Sequence, residues 1–159
     1  MAGADHRRGD VTPVLRQATI DDIAAMHGVR LSVLENQPVF SIISEDDYRK
    51  HLEELGRGWV VEIQGEVVGF AIANATDGNV WALFVHPDHE RRGYGRRLHD
   101  AMVSWLWKQG LSKLWLTTDP GTRAQGFYES AGWCLAGSAS NGQLLYELRD
   151  PPMKPMSEP

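Results

Sequence analysis

Residues 81–98 read WALFVHPDHERRGYGRRL, and the order of residue types along this stretch decides how the rest of the chain is read. The apolar run that begins near Asn79 stops at Val85, short enough for a buried strand, and Pro87 breaks it. Gly93 and Gly95 then lead directly into a helical spacing of apolar residues: Leu98, Ala101, Met102, Trp105 and Leu106. A strand, a tight glycine loop and a helix start, in that order, turn several backbone N–H groups towards one point. The positive end of the helix dipole adds to them, so the ligand such a loop favours is an anion. Charge agrees, since residues 87–108 carry Arg91, Arg92, Arg96, Arg97 and Lys108 against Asp88, Glu90 and Asp100, a local excess of two positive charges. Hydrogen bonds to a charged group contribute about 1.5–3 kcal/mol each, so three or four of them hold a pyrophosphate. A run of arginines is more often a solvated surface, but this run sits at a glycine-bearing helix start, which favours a phosphate site.

Two other phosphate-binding arrangements fit less well. A dinucleotide fold needs G-x-G-x-x-G directly after its strand, whereas Leu98 stands at the third glycine position and seven residues separate Val85 from Gly93. Asp119 does end the next strand, as an acid should in that fold, so a nicotinamide-dependent oxidoreductase is the weaker reading. A P-loop needs Gly-Lys-Ser/Thr at the helix start, and Gly95-Arg96-Arg97 lacks it.

Working outward, residues 14–18 read as a strand, and Thr19 with Asp22 as the capping box of a helix carrying Ile20, Ile23, Ala24, His27, Leu31 and Leu34 up to Pro38. Ser44 with Asp47 opens a second helix, over residues 44–55, with five acids against two bases. Strands over 59–63 and 67–74 join through the turn Gln64-Gly65-Glu66, and Asp77-Gly78 turns into the strand over 79–85. Gly110 ends the long helix, and a strand follows over 113–118. Thr122 with Gln125 is a third capping signal, for a helix whose Ala124, Phe127, Tyr128 and Ala131 share a face. Strands over 133–136 and 144–148 complete the chain. This order predicts one α/β domain, with a mixed, mostly antiparallel sheet of six to seven strands flanked by about four helices. The piece over residues 80–118 is its one parallel crossover. Residues 1–12 are expected to be a flexible start, 13–149 the domain, and 150–159 a Pro-rich tail.

Composition bounds the function without naming it. The 159 residues suit one domain with a real core, 42% of them apolar and 23% charged. A formal charge of −5 argues against general nucleic-acid or anionic-membrane binding. A single cysteine, Cys134, excludes an internal disulfide and a cysteine-rich zinc site, so a reducing cytoplasm is the expected home. Cys134 reads as a buried small residue and not an acyl carrier. No apolar stretch of signal-peptide or membrane-span length is present. His6, His27, His51, His89 and His99 show no metal-ligand spacing and read as non-functional, so no metal is expected.

On these residues the chain resembles the GNAT acetyltransferase family. The spacing Val85-x-Pro87-x5-Gly93-x-Gly95-x2-Leu98 is similar to that family's acyl-CoA pyrophosphate motif. Ala124-x-x-Phe127-Tyr128-x-x-x-Gly132-Trp133 is similar to its C-terminal motif, and the likeness covers roughly residues 14–149. The resemblance implies acetyl-CoA as cosubstrate and an amine as acceptor, without metal. It implies that the pantetheine arm pairs with the backbone of Leu83, Phe84 and Val85. The pyrophosphate would then lie on the N–H groups of Arg91, Arg92, Gly93, Tyr94, Gly95 and Arg96. Tyr128 matches the tyrosine that protonates the departing thiolate. A phenol of pKa about 10 stays protonated at pH 7 and can donate to a thiolate whose conjugate acid is near 8.5. On periodicity alone Tyr128 would be a core aromatic.

Two positions depart from the family pattern. Glu90 stands where Gln or Arg is common, an acid beside a diphosphate whose cost is small if the side chain points outward. Gly121 replaces an asparagine that contacts the pantetheine arm, leaving Thr122 or Arg123 to supply that contact. The acceptor side is less specified. No acid occurs on the strand over 79–85, so Glu35, Glu62, His86 or water must take the amine's proton, and Glu35 is the favoured residue. Trp81 is the tryptophan expected to wall an acceptor pocket, while Trp105, Trp115 and Trp133 read as core. A non-catalytic acyl-CoA sensor of the same fold is the competing function, and a homodimer is admitted as the assembly.

Overall fold

The computed structural model describes residues 12–34 and 43–150. The expected flexible start and Pro-rich tail lie outside them except for Thr12 and Asp150, as does the helix stop expected at Pro38. The strands are β1 (Val14–Gln17), β2 (Gly56–Ile63), β3 (Glu66–Asn74), β4 (Asn79–Val85), β5 (Lys113–Thr118), β6 (Cys134–Ser138) and β7 (Leu144–Arg149). The helices are α1 (Ile23–Leu34), α2 (Glu45–Lys50), α3 (Tyr94–Lys108) and α4 (Arg123–Ser130). One seven-stranded sheet results, in the order β1-β2-β3-β4-β5-β7-β6. All neighbours are antiparallel except β4 and β5, the crossover that carries α3.

Local chemistry explains most of the boundaries. Thr19 and Ser44 form complete capping boxes with Asp22 and Asp47, each cap contributing about 1 kcal/mol. At Thr122 only half a box forms, because the Gln125 side chain accepts instead from the Gly121 N–H at 2.7 Å. α2 is shorter than expected and continues as a π turn over His51–Leu55. β2 begins three residues before the expected Trp59, through two glycines that weaken a strand signal. Gly56 is needed there, since a Cβ would stand 1.8 Å from the Ala73 carbonyl oxygen.

Two cores form, one on each face of the sheet. α3 buries Leu98, Met102, Val103 and Leu106 on one face, together with Trp133 and Tyr146. α1 and α2 cover the other with Ile23, Met26, Val29 and Tyr48 packed on Val60, Phe70 and Ile72. The α1 stripe differs from the expected one: Ile20 and Leu31 are 38% and 49% exposed. Residues Ile20–Asp22 form a 3-10 turn, at about 3.0 residues per turn against about 3.6, which shifts the phase of the face that follows. Cys134 is exposed, against expectation, because β6 is an edge strand with every residue exposed.

One irregularity shapes the centre. Ile72 pairs with Ala82 and Ala73 with Val80, so Trp81 is the extra residue of a β-bulge in β4. A bulge bends its strand. β4 pairs with β5 only at Asn79↔Trp115.

Candidate active site

Beyond Asn79↔Trp115 the two parallel strands are no longer paired, and a cleft of about 390 Å³ lies between the end of β4, the start of α3 and α4. Leu83, Phe84 and Val85 form its strand wall. Arg91, Gly93, Tyr94, Gly95 and Arg96 line it from the loop and the first turn of α3, and Arg123 lines it from α4. Arg92 is exposed and outside the lining.

The start of α3 is built unlike the other helix starts. Thr19, Ser44 and Thr122 cap theirs with side-chain oxygens, whereas the N-cap of α3 is Gly93, at φ +83°, with no side chain to offer. The first-turn N–H groups are therefore left for another acceptor. Arg91 also adopts a positive φ, +66°, which disfavours a residue with a Cβ. At Gly95 a Cβ would already touch Val85 and Phe127 at 3.7 and 3.8 Å, so a larger side chain would fill the cleft.

Tyr128 projects from α4 into the same cleft while 7% exposed. It packs edge-on against Phe127 and Trp133, and belongs to the α3-side core as well as to the lining. Its hydroxyl makes no hydrogen bond among the described residues, and burial pushes the phenol well above its ordinary pKa. α4 is held in place from beneath. Gln125 donates to the buried Tyr146 hydroxyl at 3.0 Å, which donates to Glu129 at 2.5 Å. The face shared by Ala124, Phe127 and Tyr128 is only partly covered, because it borders a cavity.

Glu90 does not point outward. It lines the cleft and forms an ion pair with Arg123, tying the loop after β4 to the start of α4. Thr122 is committed too, accepting from the Gln125 N–H and donating to the Asp119 carbonyl. Of the residues considered for the amine's proton, Glu35 lies outside the described residues. Glu62 is held by Arg16 at 2.6 Å, which also grips Asp22, and it is not in the lining. His86 is likewise outside it and caps a 3-10 turn by accepting from the Asp88 N–H. Trp81 does not line the cleft; it stacks on His51 at 3.9 Å and meets Tyr48 edge-on.

Besides Glu90 and Ala124, three further lining residues stand outside the expected site. Val33 brings the last turn of α1 to the cleft, Phe127 contributes its ring, and His89 faces it with a buried Nδ1 that has no partner among the described residues. The shared face of α4 was a signal for Phe127; nothing in the spacing marks Val33 or His89. Among the described residues no group of three or more His, Cys, Asp or Glu is placed to hold a metal ion, and no helix is long and apolar enough to cross a membrane.

The model of the Acetyltransferase (GNAT) family matches residues 25–133. Serotonin N-acetyltransferase 2, chloroplastic, from Oryza sativa subsp. japonica is 30% identical over 144 residues, covering 86% of this chain and 68% of that protein. An amino-acid acetyltransferase from Pseudomonas putida is 28% identical over 128 residues, covering 78% of this chain. The match spans only 28% of that relative's length. Among solved structures, the PaiA N-acetyltransferase from Thermoplasma acidophilum in complex with coenzyme A has a TM-score of 0.73 at 13% identity. That likeness covers 87% of this chain and 99% of the other, and at such identity it shows the fold alone.

Proposed function

The chain belongs to the GNAT acetyltransferase family, and from that premise we propose that it moves an acetyl group from acetyl-CoA directly to an amine within one ternary complex. The observation that carries this reading is the parted edge of β4, with an uncapped helix start at one end and an unpartnered tyrosine hydroxyl beside it.

The residues present suit acyl-CoA. The strand wall Leu83–Phe84–Val85 has lost its β5 partner, so its free backbone groups are available to the amides of a pantetheine arm. The α3 first turn, with Arg91 and Arg96 beside it, offers N–H donors and positive charge to the pyrophosphate. In the transfer step the neutral amine attacks the thioester carbonyl carbon. A C–N bond forms, the C–S bond breaks, Tyr128 gives its proton to the departing sulfur, and the amine's extra proton leaves to solvent. Burial that raises the Tyr128 phenol would raise the thiol pKa in the same cleft, since desolvation disfavours both anions. The proton transfer is thus less uphill than the bare phenol shift suggests. The single exposed cysteine suits a reducing cytoplasmic setting.

The test is thiol release from acetyl-CoA across a panel of amines, amino acids, peptides and aminoglycosides, with a 42 Da gain on the acceptor read by mass spectrometry as about one acetyl group. Release coupled to that gain supports transfer. Tight acetyl-CoA binding with no release from any acceptor overturns it in favour of a non-catalytic acyl-CoA sensor.

A further inference from the structure

Resting on the acyl-CoA reading of the cleft, a second feature addresses the acceptor. The last turn of α1 reaches the cleft at Val33, and Arg30 lies one turn earlier on the same helix side. Arg30 lays its guanidinium over the ring of Phe84, with Cζ 5.5 Å from the ring centroid, and Phe84 itself lines the cleft. At that distance the ring attracts the cation as a whole and takes up none of its N–H donors in a strong hydrogen bond. Arg16, Arg49, Arg96, Arg123 and Arg149 each hold a carboxylate. Among the described residues Arg30 holds none and makes no hydrogen bond, although it is half-buried.

Among the described residues no acid neutralises Arg30. Tyr48 is close enough to feel its charge, but the Tyr48 hydroxyl is bonded to His27 Nδ1 at 3.0 Å. A half-buried guanidinium that holds no carboxylate among the described residues, next to a residue of the acyl-transfer cleft, is a fork whose matching partner is a carboxylate. We propose that Arg30 clamps the carboxylate of the acceptor, so that the acceptor is an amine carrying a free carboxylate, of the amino-acid class. Its carboxylate docks at Arg30 on the α1 side of Phe84 while its amine faces the thioester held along the β4 backbone.

The experiment pairs each of the common amino acids with its own carboxamide and follows thiol release from acetyl-CoA. At least one free acid is expected to exceed its amide by at least tenfold in kcat/KM. Arg30→Met, which keeps an unbranched apolar stem over Phe84, is expected to raise KM for that acid at least tenfold and to bring the acid-to-amide ratio near one. KM for acetyl-CoA stays unchanged, and Arg30→Lys recovers only part of the loss. Arg57, which lies over Trp105 in the α3-side core and not over a residue of the cleft, is the control: Arg57→Met leaves the ratio unchanged. Amides or simple amines that match or exceed the acids, or a preference that survives Arg30→Met, overturns the clamp while leaving acyl transfer standing. If no acceptor turns over, acyl transfer fails, and the clamp is read by calorimetric titration of the CoA-saturated protein with the same acids. Binding heat that disappears in Arg30→Met supports it; no heat, or heat unchanged in the variant, overturns it.

Discussion

Arg123 at the start of α4 forms an ion pair with Glu90 in the loop after β4, and both side chains line the cleft. The pair spans 33 residues of sequence and joins the two segments that carry the family's motifs. It also cancels an acid that would otherwise face the pyrophosphate. In Glu90→Gln the shape is kept, the acid is lost and Arg123 is released. Because Arg123 is largely exposed, the gain is modest: CoA should bind about two- to fivefold tighter, as expected for a partly exposed charge pair. Titration calorimetry at low and high salt checks it, and weaker binding would contradict the assignment of both residues to the cofactor mouth.

Gly95 separates crowding from charge. A Cβ there makes only ordinary contacts with Val85 and Phe127, so Gly95→Ala should fold normally and lose CoA affinity mildly. Gly95→Asp places an anion at the proposed phosphate site, and like charges at short range cost several kcal/mol, so affinity should fall at least about a hundredfold. Equal affinities in the two variants would move the phosphate elsewhere.

Glu62→Gln tests whether that carboxylate acts on the amine. Its oxygen is taken by Arg16, so the substitution should leave kcat within about twofold while lowering the melting temperature slightly. A large fall in kcat with an acidic limb lost from the pH–rate profile would return Glu62 to the reaction.

His99 predicts an acid-sensitive fold. It is 3% exposed, accepts from the Trp133 indole N–H at 2.9 Å through Nε2, and donates from Nδ1 to Asp100 at 2.9 Å. Burial lowers its pKa below 6.5, and the bond to Asp100 only partly opposes this. The unfolded chain therefore binds more protons just below pH 6.5, and the stability that neutral His99 contributes is complete above 6.5 and declines as pH falls below it. The slope from this group is at most about 1.4 kcal/mol per pH unit. Asp22, Asp47 and Asp100, whose pKa values are lowered from 3.8, add their own losses only at still lower pH. Denaturant titrations at several pH values should show a decline setting in below pH 6.5 in the wild type and a weaker one in His99→Gln.

Much of this was legible in the sequence where one local rule acts alone. The capping boxes at Thr19 and Ser44, the glycine-bearing start of α3 and the element order follow from periodicity and turn chemistry. The single β4–β5 pair and the bulge at Trp81 are not readable from spacing, because both are matters of register between strands. Glu90 reads as an unpaired acid beside a diphosphate until the fold brings Arg123 to it. The exposed Cys134 and the phase of α1 were missed for related reasons: edge position and a 3-10 first turn are tertiary outcomes. Arg30 resembles any helical surface arginine until Phe84 is placed beneath it.

In the proposed transfer Tyr128 supplies the proton that releases the thiol, and the kcat of Tyr128→Phe beside its affinity for acetyl-CoA tests that role. The phenyl ring keeps the packing against Phe127 and Trp133, so the fold and the Kd should hold within about twofold. A general acid typically contributes 10²–10⁴-fold, so kcat should fall by at least about a hundredfold across pH 6–9. A kcat within about threefold of the wild type, with the variant folded and acetyl-CoA bound, would mean that Tyr128 is not the acid.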